Sequence, residues 1–169
     1  MSLEPSDYFA SLPKRRVGAG ALLLDGAGRV LMVEPTYKEH WEIPGGIVEQ
    51  GEDPRQACQR ECLEELGLRL KVGRVLVLEH QTQEPPFGDS LMFVYDGGVV
   101  PGGTALVLPP AELRSHRFIE PERLGEFTEE RLARRIRFAL LALREGSTVE
   151  LTNGVCPNEE ELYFARRGA

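Results

Sequence analysis

The chain carries its densest set of chemically active side chains between Gly46 and Leu68. Gly46 is followed after five residues by Glu52 and, after seven more, by the run Arg60-Glu61-Cys62-Leu63-Glu64-Glu65-Leu66-Gly67-Leu68. Carboxylates at these fixed offsets are oxygen ligands for a hard divalent cation, and Mg²⁺ or Mn²⁺ suits such a site better than zinc does. The spacing therefore predicts divalent-metal chemistry.

The residues around this array predict a helix that gathers its carboxylates. Asp53 at the N-cap and Pro54 at the first helical position are a helix-start signal, and Gly67 is a stop signal. Residues three and four apart are neighbours on a helix, so the three glutamates of the run share one arc. Another face, predicted to pack on a sheet, carries Cys58, Cys62, Leu63 and Leu66.

Three like charges on one arc repel each other, and a bound cation would offset that repulsion. Arg60 and Glu52 are placed to brace the array, with the guanidinium holding a carboxylate. The alternative is an acidic helix face that is merely solvated. Solvation explains the charge, but it does not explain the paired glycines and the arginine.

These residues resemble a known family signature. The stretch from Gly46 to Leu68 resembles the Nudix box, and the preceding Trp41-Glu42-Ile43-Pro44-Gly45-Gly46 resembles the strand and tight turn that lead into it. Every fixed polar or glycine position matches. Cys62 stands where the family usually has a larger aliphatic residue, and a buried cysteine is an acceptable small hydrophobe there.

The resemblance implies a mechanism for particular residues. Glu61 and Glu65 are implied as the principal Mg²⁺ or Mn²⁺ ligands, and the backbone carbonyl of Gly45 as a further one. Glu64 is implied either as another ligand or as the base that deprotonates the attacking water. The implied substrate carries a diphosphate joined to another moiety, such as a nucleotide sugar, ADP-ribose or a nucleoside triphosphate. The cation would neutralise charge on the oxygens of the cleaved anhydride.

Carboxylates outside the box are candidates for a further catalytic role. Glu112 is the first candidate because it precedes a short predicted strand, although an exposed loop carboxylate is an equally good interpretation. Glu79 and Glu84 are the other two candidates. His80 is a possible general base, but a lone histidine at a strand end is more often a surface or packing residue.

Selectivity for the non-phosphate moiety is expected from residues outside the box. Tyr37, Trp41 and Phe87 are candidates to stack on a nucleobase, and Lys38 is a candidate to contact phosphate. For Trp41, core packing is the stronger interpretation. The segment from Gln81 to Asp89 is a candidate wall of the substrate pocket. The sequence leaves the substrate itself open.

Length and composition predict a single small enzyme domain in a reducing compartment. A chain of 169 residues with 41% hydrophobic content supports one core. Its net charge of −7 argues against stable binding of nucleic acid or of an anionic membrane, so the expected partner is a small molecule. No signal peptide, apolar span or disulfide framework is visible, and we therefore expect a cytoplasmic protein with reduced thiols.

The element pattern predicts strands interrupted by two amphipathic helices. Strands are expected at Val17–Leu24, Arg29–Glu34, Leu70–His80, Ser90–Tyr95 and His116–Ile119, with edge elements at Val149–Leu151 and Glu161–Phe164. The late helix, from Thr128 to Gly146, carries an apolar stripe of Leu132, Ile136, Ala139, Leu140 and Leu143. We interpret Arg131, Arg134, Arg135 and Arg137 as the solvated face of this helix rather than as a nucleic-acid patch.

Such an order of elements indicates an α/β protein with a mixed β-sheet between helices, which matches the α/β/α sandwich of the Nudix family. We divide the chain into an N-terminal arm (1–13), one Nudix-like hydrolase domain (14–146) and a C-terminal extension (147–169). The arm carries Tyr8, Phe9 and Leu12 as candidate anchors, which leaves a homodimer open. Two functional alternatives to a hydrolase are a catalytically silent ligand sensor and an interaction module that docks through its acidic face.

Overall fold

A computed structural model of the chain describes residues 4–83, 86 and 88–157. Its helices are α1 (Pro5–Ser11), α2 (Pro54–Leu66) and α3 (Glu130–Glu145), with a 3-10 helix at Pro121–Glu126. Its strands are β1 (Arg16–Leu24), β2 (Val30–Pro35), β3 (Gly45–Ile47), β4 (Val75–Gln81), β5 (Ser90–Val99), β6 (Leu113–Ile119) and β7 (Val149–Thr152). Within this part of the chain, no helix is both long enough and apolar enough to cross a membrane.

The strands form one mixed seven-stranded sheet in the order β6-β2-β1-β5-β4-β7, and β3 pairs with β1 outside this path. β1 runs parallel to β5, with Arg16 opposite Ser90, and β4 runs parallel to β7. The other pairings are antiparallel. β1 thus lies at the centre of the sheet and holds β3, the segment that opens the Nudix-like box.

The two faces of the sheet bury two separate apolar clusters because neighbouring strand residues point to opposite sides. Ala19, Ala21 and Leu23 of β1 pack with Cys58 and Cys62 of α2. Residues on the opposite face, among them Leu22, Met32 and Val77, pack with Leu132, Ile136 and Ala139 of α3. The predicted α/β/α sandwich with a mixed sheet between helices is therefore confirmed.

Several predicted boundaries need correction. The strand expected from Leu70 begins only at Val75. The residue before the strand, Arg74, donates a hydrogen bond to the backbone carbonyl of Ala142 on α3. Trp41 belongs to no strand, because only an isolated bridge joins the next residue, Glu42, to Val33. Leu63 is partly exposed rather than packed on the sheet.

The ends of the chain add two observations. Val149–Thr152 does form an edge strand, as expected, whereas the predicted element at Glu161–Phe164 lies outside the described residues. Tyr8 and Phe9 contact each other edge-to-face on α1 and are both exposed. The domain boundaries proposed above stay a prediction.

Candidate active site

The glutamates of the box lie on α2, whose ends are set by the residues that the sequence indicated. The Asp53 side chain accepts a hydrogen bond from the backbone N–H of Gln56 at 2.9 Å, and the Gln56 side chain accepts one from the N–H of Asp53 at 2.9 Å. This capping box satisfies two backbone donors at the helix start. Gly67 ends the helix with a φ of 68°, a conformation that glycine adopts without steric cost.

Two glycines let the backbone of β3 approach both the sheet and α2. Gly45 has a φ of +149°, and a Cβ at this position would lie 2.4 Å from the carbonyl oxygen of Ala19. A Cβ on Gly46 would lie 2.3 Å from Oε1 of Glu61. Both distances are too short for any side chain. The glycine pair therefore places the β3 backbone directly against the box carboxylates.

Arg60 connects four parts of this site through hydrogen bonds. Its Nε and one terminal nitrogen donate to the two carboxylate oxygens of Glu52 at 2.7 and 3.0 Å. The other terminal nitrogen donates to Glu61 at 2.8 Å and to Glu64 at 3.0 Å. A further bond reaches the carbonyl of Ile47 at 3.0 Å. Hydrogen bonds from Arg60 are the main reason that the pKa of Glu52 is lowered to about 2.

Among the described residues, Glu65 and Glu61 are carboxylates with raised pKa values. Burial raises the pKa of Glu65 to about 7, and repulsion by Glu61 and Glu112 adds to the effect. The backbone N–H of Gly45 opposes it by donating to Glu65 Oε2 at 2.9 Å. Burial also raises the pKa of Glu61, while its contact with Arg60 acts in the opposite direction. A positive charge beside these two carboxylates would favour their ionised forms.

The donors at this site suit a hard cation, because carboxylates and backbone carbonyls provide only oxygen. Among the described residues, no group of three or more His, Cys, Asp or Glu side chains has an arrangement that could hold a metal ion. Mg²⁺, however, usually binds through one or two carboxylates and keeps several waters or substrate oxygens. The two half-buried carboxylates Glu61 and Glu65, next to the side-chain-free backbone of Gly45 and Gly46, fit that mode of binding.

A cavity of about 260 Å³ opens beside Glu65. Its lining includes the predicted site residues Tyr37, Lys38, Gly45 and Glu112, so the structure brings these together with the end of the glutamate array. Tyr37 is 75% exposed and lies at the surface of the cavity. Lys38 forms an ion pair with Glu42 at 2.5 Å. The outlying Glu112 is the carboxylate that raises the pKa of both Glu61 and Glu65 from outside the box.

Other candidates lie elsewhere. Trp41 packs edge-to-face against Phe127 and joins the α3-side core, in agreement with its interpretation as a packing residue. Glu79 is fully buried and forms a hydrogen-bonded ion pair with Arg135. His80 lies 3.5 Å from Glu150, in a different surface hollow from the glutamates. Phe87 and Glu84 fall outside the described residues.

The burial of Arg135 corrects its assignment to the solvated face of α3. Arg135 is only 6% exposed and lines the cavity beside Glu65. The sequence carried a signal for this placement, because Arg135 is three residues from Leu132 and four from Ala139 and so falls at the edge of the apolar stripe. The positive charge of Arg135 led to its assignment to the solvated face.

A second cavity lies away from the box glutamates. It has a volume of about 700 Å³ and lies along the outer surface of α3, where Arg134, Arg137 and Phe138 line it. Arg137 is already paired with Glu130 at 3.2 Å. No box glutamate lines this groove, so we place the candidate active site at the smaller cavity beside Glu65.

Comparisons with known proteins find relatives with related sequences. The chain is 42% identical over 72 residues to an RNA pyrophosphohydrolase of Dinoroseobacter shibae, a match that covers 41% of this chain and 44% of that protein. It is 29% identical over 110 residues to a putative 8-oxo-dGTP diphosphatase of Bacillus subtilis, covering 65% of this chain and 70% of the relative. The chain spans less than half the length of the first curated relatives that it matches.

Solved structures agree on the fold. A MutT protein from Methanosarcina mazei superposes with a TM-score of 0.64 at 24% identity, over 80% of this chain and 99% of that one. The NUDIX domain family matches residues 14–141, a span that includes the box, the cavity beside Glu65 and most of α3. With its fold, its glutamate array and this match in agreement, the chain belongs to the Nudix family.

Proposed function

We propose that the protein hydrolyses a phosphoanhydride bond in a nucleoside diphosphate linked to another moiety, and that the reaction depends on Mg²⁺ or Mn²⁺. One observation carries this proposal. Glu61 and Glu65 sit half-buried with raised pKa values against the Gly45–Gly46 backbone, at the end of an open cavity. Such carboxylates have a physical reason to bind a cation, and a cation is what a multiply negative anhydride needs for hydrolysis.

We assign a separate role in this reaction to each residue of the site. Glu61, Glu65 and the Gly45 carbonyl would hold the cation, with Glu64 as a further ligand, and the bound cation would neutralise charge on the anhydride oxygens. Arg60 and Glu52 position these carboxylates through the hydrogen bonds described above. Glu64 is also a candidate base, but it already accepts a hydrogen bond from Arg60 at 3.0 Å. We therefore retain Glu112, which lines the same cavity as Glu65, as the other candidate for deprotonating water.

The class of substrate is supported by the relatives. One is named an RNA pyrophosphohydrolase and another a putative 8-oxo-dGTP diphosphatase, and both names denote hydrolysis of a nucleotide phosphoanhydride. Nucleotide sugars, ADP-ribose and nucleoside triphosphates all contain that bond. Selection among them falls to groups at the cavity, with Tyr37 and Lys38 at one end and Gln81 and Gln83 of the 81–89 segment in an adjoining hollow.

The test is hydrolysis of a substrate panel containing nucleoside diphosphate derivatives and nucleoside triphosphates. Each compound is assayed with Mg²⁺, with Mn²⁺ and with EDTA. We expect turnover of at least one compound with a cation and none with EDTA. Full activity in EDTA would show that hydrolysis does not depend on a divalent cation. Cation-dependent binding without turnover would favour the ligand-sensor alternative, whereas neither binding nor turnover would favour an interaction module.

Two further expectations concern the setting of the protein. Its three cysteines are free and buried, which is typical of a reducing compartment such as the cytoplasm. The exposed pair Tyr8 and Phe9 on α1 keeps the homodimer alternative open. Light scattering of the full chain and of a Tyr8→Ser, Phe9→Ser variant tests this alternative, since only a dimer held by α1 would dissociate.

A further inference from the structure

All the buried polar side chains in the described part of the chain meet at one place. They are Glu79, Gln81, Ser90, Thr128 and Arg135, each at most 6% exposed. Four of them line a cavity of about 210 Å³ between the sheet and α3, and the fifth, Glu79, binds Arg135. Burying a polar group costs free energy unless it finds a partner. Their convergence gives this cavity a polar lining that is held within the core.

Arg135 is the buried charged residue in the lining of this cavity. Its Nε donates a hydrogen bond to Oε2 of Glu79. Within the described part of the chain, the guanidinium makes no other hydrogen bond to protein. Oε1 of Glu79 has no partner. A guanidinium has five N–H donors, so the pair fixes the orientation of Arg135 and leaves most of its donors for a ligand.

The rest of the lining is rich in hydrogen-bond donors. Arg16 and Arg131 add two further guanidinium groups. The carbonyl oxygen of the Gln81 side chain accepts from Ser90 at 3.1 Å, which leaves the amide N–H₂ of Gln81 free to donate. Two carboxylates also line the cavity, and both have cations nearby: Glu42 pairs with Lys38 at 2.5 Å, and Glu129 lies 4.0 Å from Arg131.

These properties select an anion with several oxygens. Among the described lining residues there is no Phe, Tyr or Trp, so the cavity offers no aromatic surface on which a nucleobase could stack. Guanidinium groups match the geometry of phosphate oxygens in particular. The cavity also adjoins the one beside Glu65, because Glu42, Ile47, Met92 and Arg135 line both.

We propose that Arg135, oriented by Glu79, binds a second phosphate group at the end of the substrate remote from the cleaved anhydride. This inference rests on the proposed hydrolase function, because it assumes that one substrate carries both the cleaved anhydride and the second phosphate. It predicts that the substrate carries a phosphomonoester in addition to its diphosphate. Arg135 would then determine specificity, while the box performs the hydrolysis.

The first experiment measures phosphate binding directly, without a divalent cation. Inorganic phosphate and ribose 5-phosphate are titrated calorimetrically into the full chain, the double variant Glu79→Met, Arg135→Met, and the control Arg137→Met. The double variant removes both charges, so no unpaired ion stays buried. We expect affinity to fall about ten- to a hundredfold in the double variant and to be unchanged in the control, whose arginine is on the outer face of α3.

The second experiment distinguishes a phosphate carried by the substrate from free phosphate. Hydrolysis of ADP-ribose is compared with that of its 2′-phosphate, and NADH with NADPH. We expect kcat/KM to favour a phosphorylated compound in the wild type and this preference to shrink about tenfold or more in the double variant. Thr128→Val, a milder change in the same lining, gives a second reading should the double variant unfold, with a several-fold loss of phosphate affinity expected.

The outcomes separate the two proposals. Equal phosphate affinity in the wild type and both cavity variants, or an unchanged kcat/KM preference in the double variant, overturns the role of Arg135. Failure to hydrolyse any anhydride, combined with phosphate binding that depends on Arg135, overturns the proposed hydrolase and supports the anion cavity. A thermal unfolding curve of each variant checks that it is folded at the assay temperature.

Discussion

Gly46 and Glu61 approach so closely that a Cβ on the glycine would lie 2.3 Å from Oε1 and 2.5 Å from the carboxyl carbon of the glutamate. The β3 backbone is thus one wall of the space that holds this carboxylate. Arg60 closes the space from α2 by donating to the same oxygen at 2.8 Å. Glu61 is therefore positioned between a glycine backbone and a guanidinium, with little freedom to rotate.

Gly46→Ala tests whether that wall is needed. The added methyl group cannot coexist with the observed Glu61 rotamer, so the carboxylate must move, and a displacement of about 1 Å at a catalytic group can cost roughly a hundredfold in rate. We expect a loss of that order in metal-dependent turnover with little change in the cooperativity of unfolding. Gly102→Ala is the control, because nothing lies within 4 Å of the methyl group it introduces. Equal turnover in the two variants would contradict the prediction.

Glu61→Gln and Glu65→Gln test the proposed cation ligands. Each change keeps the shape of the side chain and removes its charge, so we expect turnover to fall by at least about a hundredfold while the fold is retained. The control is Glu122→Gln, which neutralises an exposed glutamate in the groove on the outer face of α3. Near-native turnover and unchanged cation affinity in both box variants would show that other groups bind the metal.

The raised pKa of Glu65 predicts a pH dependence of stability in the metal-free protein. The folded pKa of about 7 exceeds the ordinary 4.5, so between these values the native state holds a proton that the unfolded chain has released. Stability from this group is fully present below pH 4.5 and is lost as the pH rises to about 7. We expect the free energy of unfolding to fall by on the order of 2 kcal/mol across that window.

Urea unfolding of the wild type and Glu65→Gln at a series of pH values isolates this contribution. The difference between the two stabilities should grow in favour of the variant as the pH rises toward 7. Added Mg²⁺ should reverse the trend in the wild type, because the cation binds the ionised carboxylate and releases its proton. A pH-independent difference would mean that Glu65 titrates normally.

Arg60→Lys tests the bracing role of the guanidinium. Lysine keeps the charge but cannot reproduce the paired bonds to Glu52 together with those to Glu61 and Glu64. We expect apparent cation affinity and turnover to fall about ten- to a hundredfold. Arg69→Lys, an exposed position beyond the end of α2, should leave both unchanged. If Arg60→Lys behaves like Arg69→Lys, charge alone is sufficient at position 60.

The buried pair Glu79–Arg135 predicts strongly non-additive stability effects. Arg135→Met alone leaves a fully buried carboxylate without a partner, which should cost about 3 kcal/mol or more in the free energy of unfolding. The double variant with Glu79→Met should regain most of that loss, since Glu79 Oε1 is unsatisfied even in the native pair. A double-mutant cycle by denaturant unfolding measures this coupling. Additive losses would argue against a tight pair.

The sequence predicted the box helix almost to the residue because its limits are set locally, by the Asp53 capping box and by Gly67. The sandwich of a mixed sheet between helices followed from the alternation of strands and amphipathic stretches. Tyr37, Lys38 and Glu112, which the sequence suggested as site residues, line one cavity together with Glu65, and their chemical roles stay predictions.

The buried polar cavity could not be predicted in the same way. Gln81 and Ser90 face each other only because β4 and β5 pair in that register, and Arg135 reaches them from a helix much later in the chain. Charge indicated an exposed arginine, whereas a partner distant in sequence, Glu79, allows it to be buried. Long-range pairing of this kind leaves little trace in local periodicity.

The pairing of β3 with β1 also determines when cation binding can arise during folding. β1 is the strand with which β3 pairs, and β2 separates the two in the chain. A helix over Pro54–Leu66 can form early, but its glutamates meet the Gly45–Gly46 backbone only after β3 has joined β1. Closing such a non-local pairing is slow compared with helix formation. In refolding from denaturant, cation binding should therefore return with the sheet rather than with the helical signal.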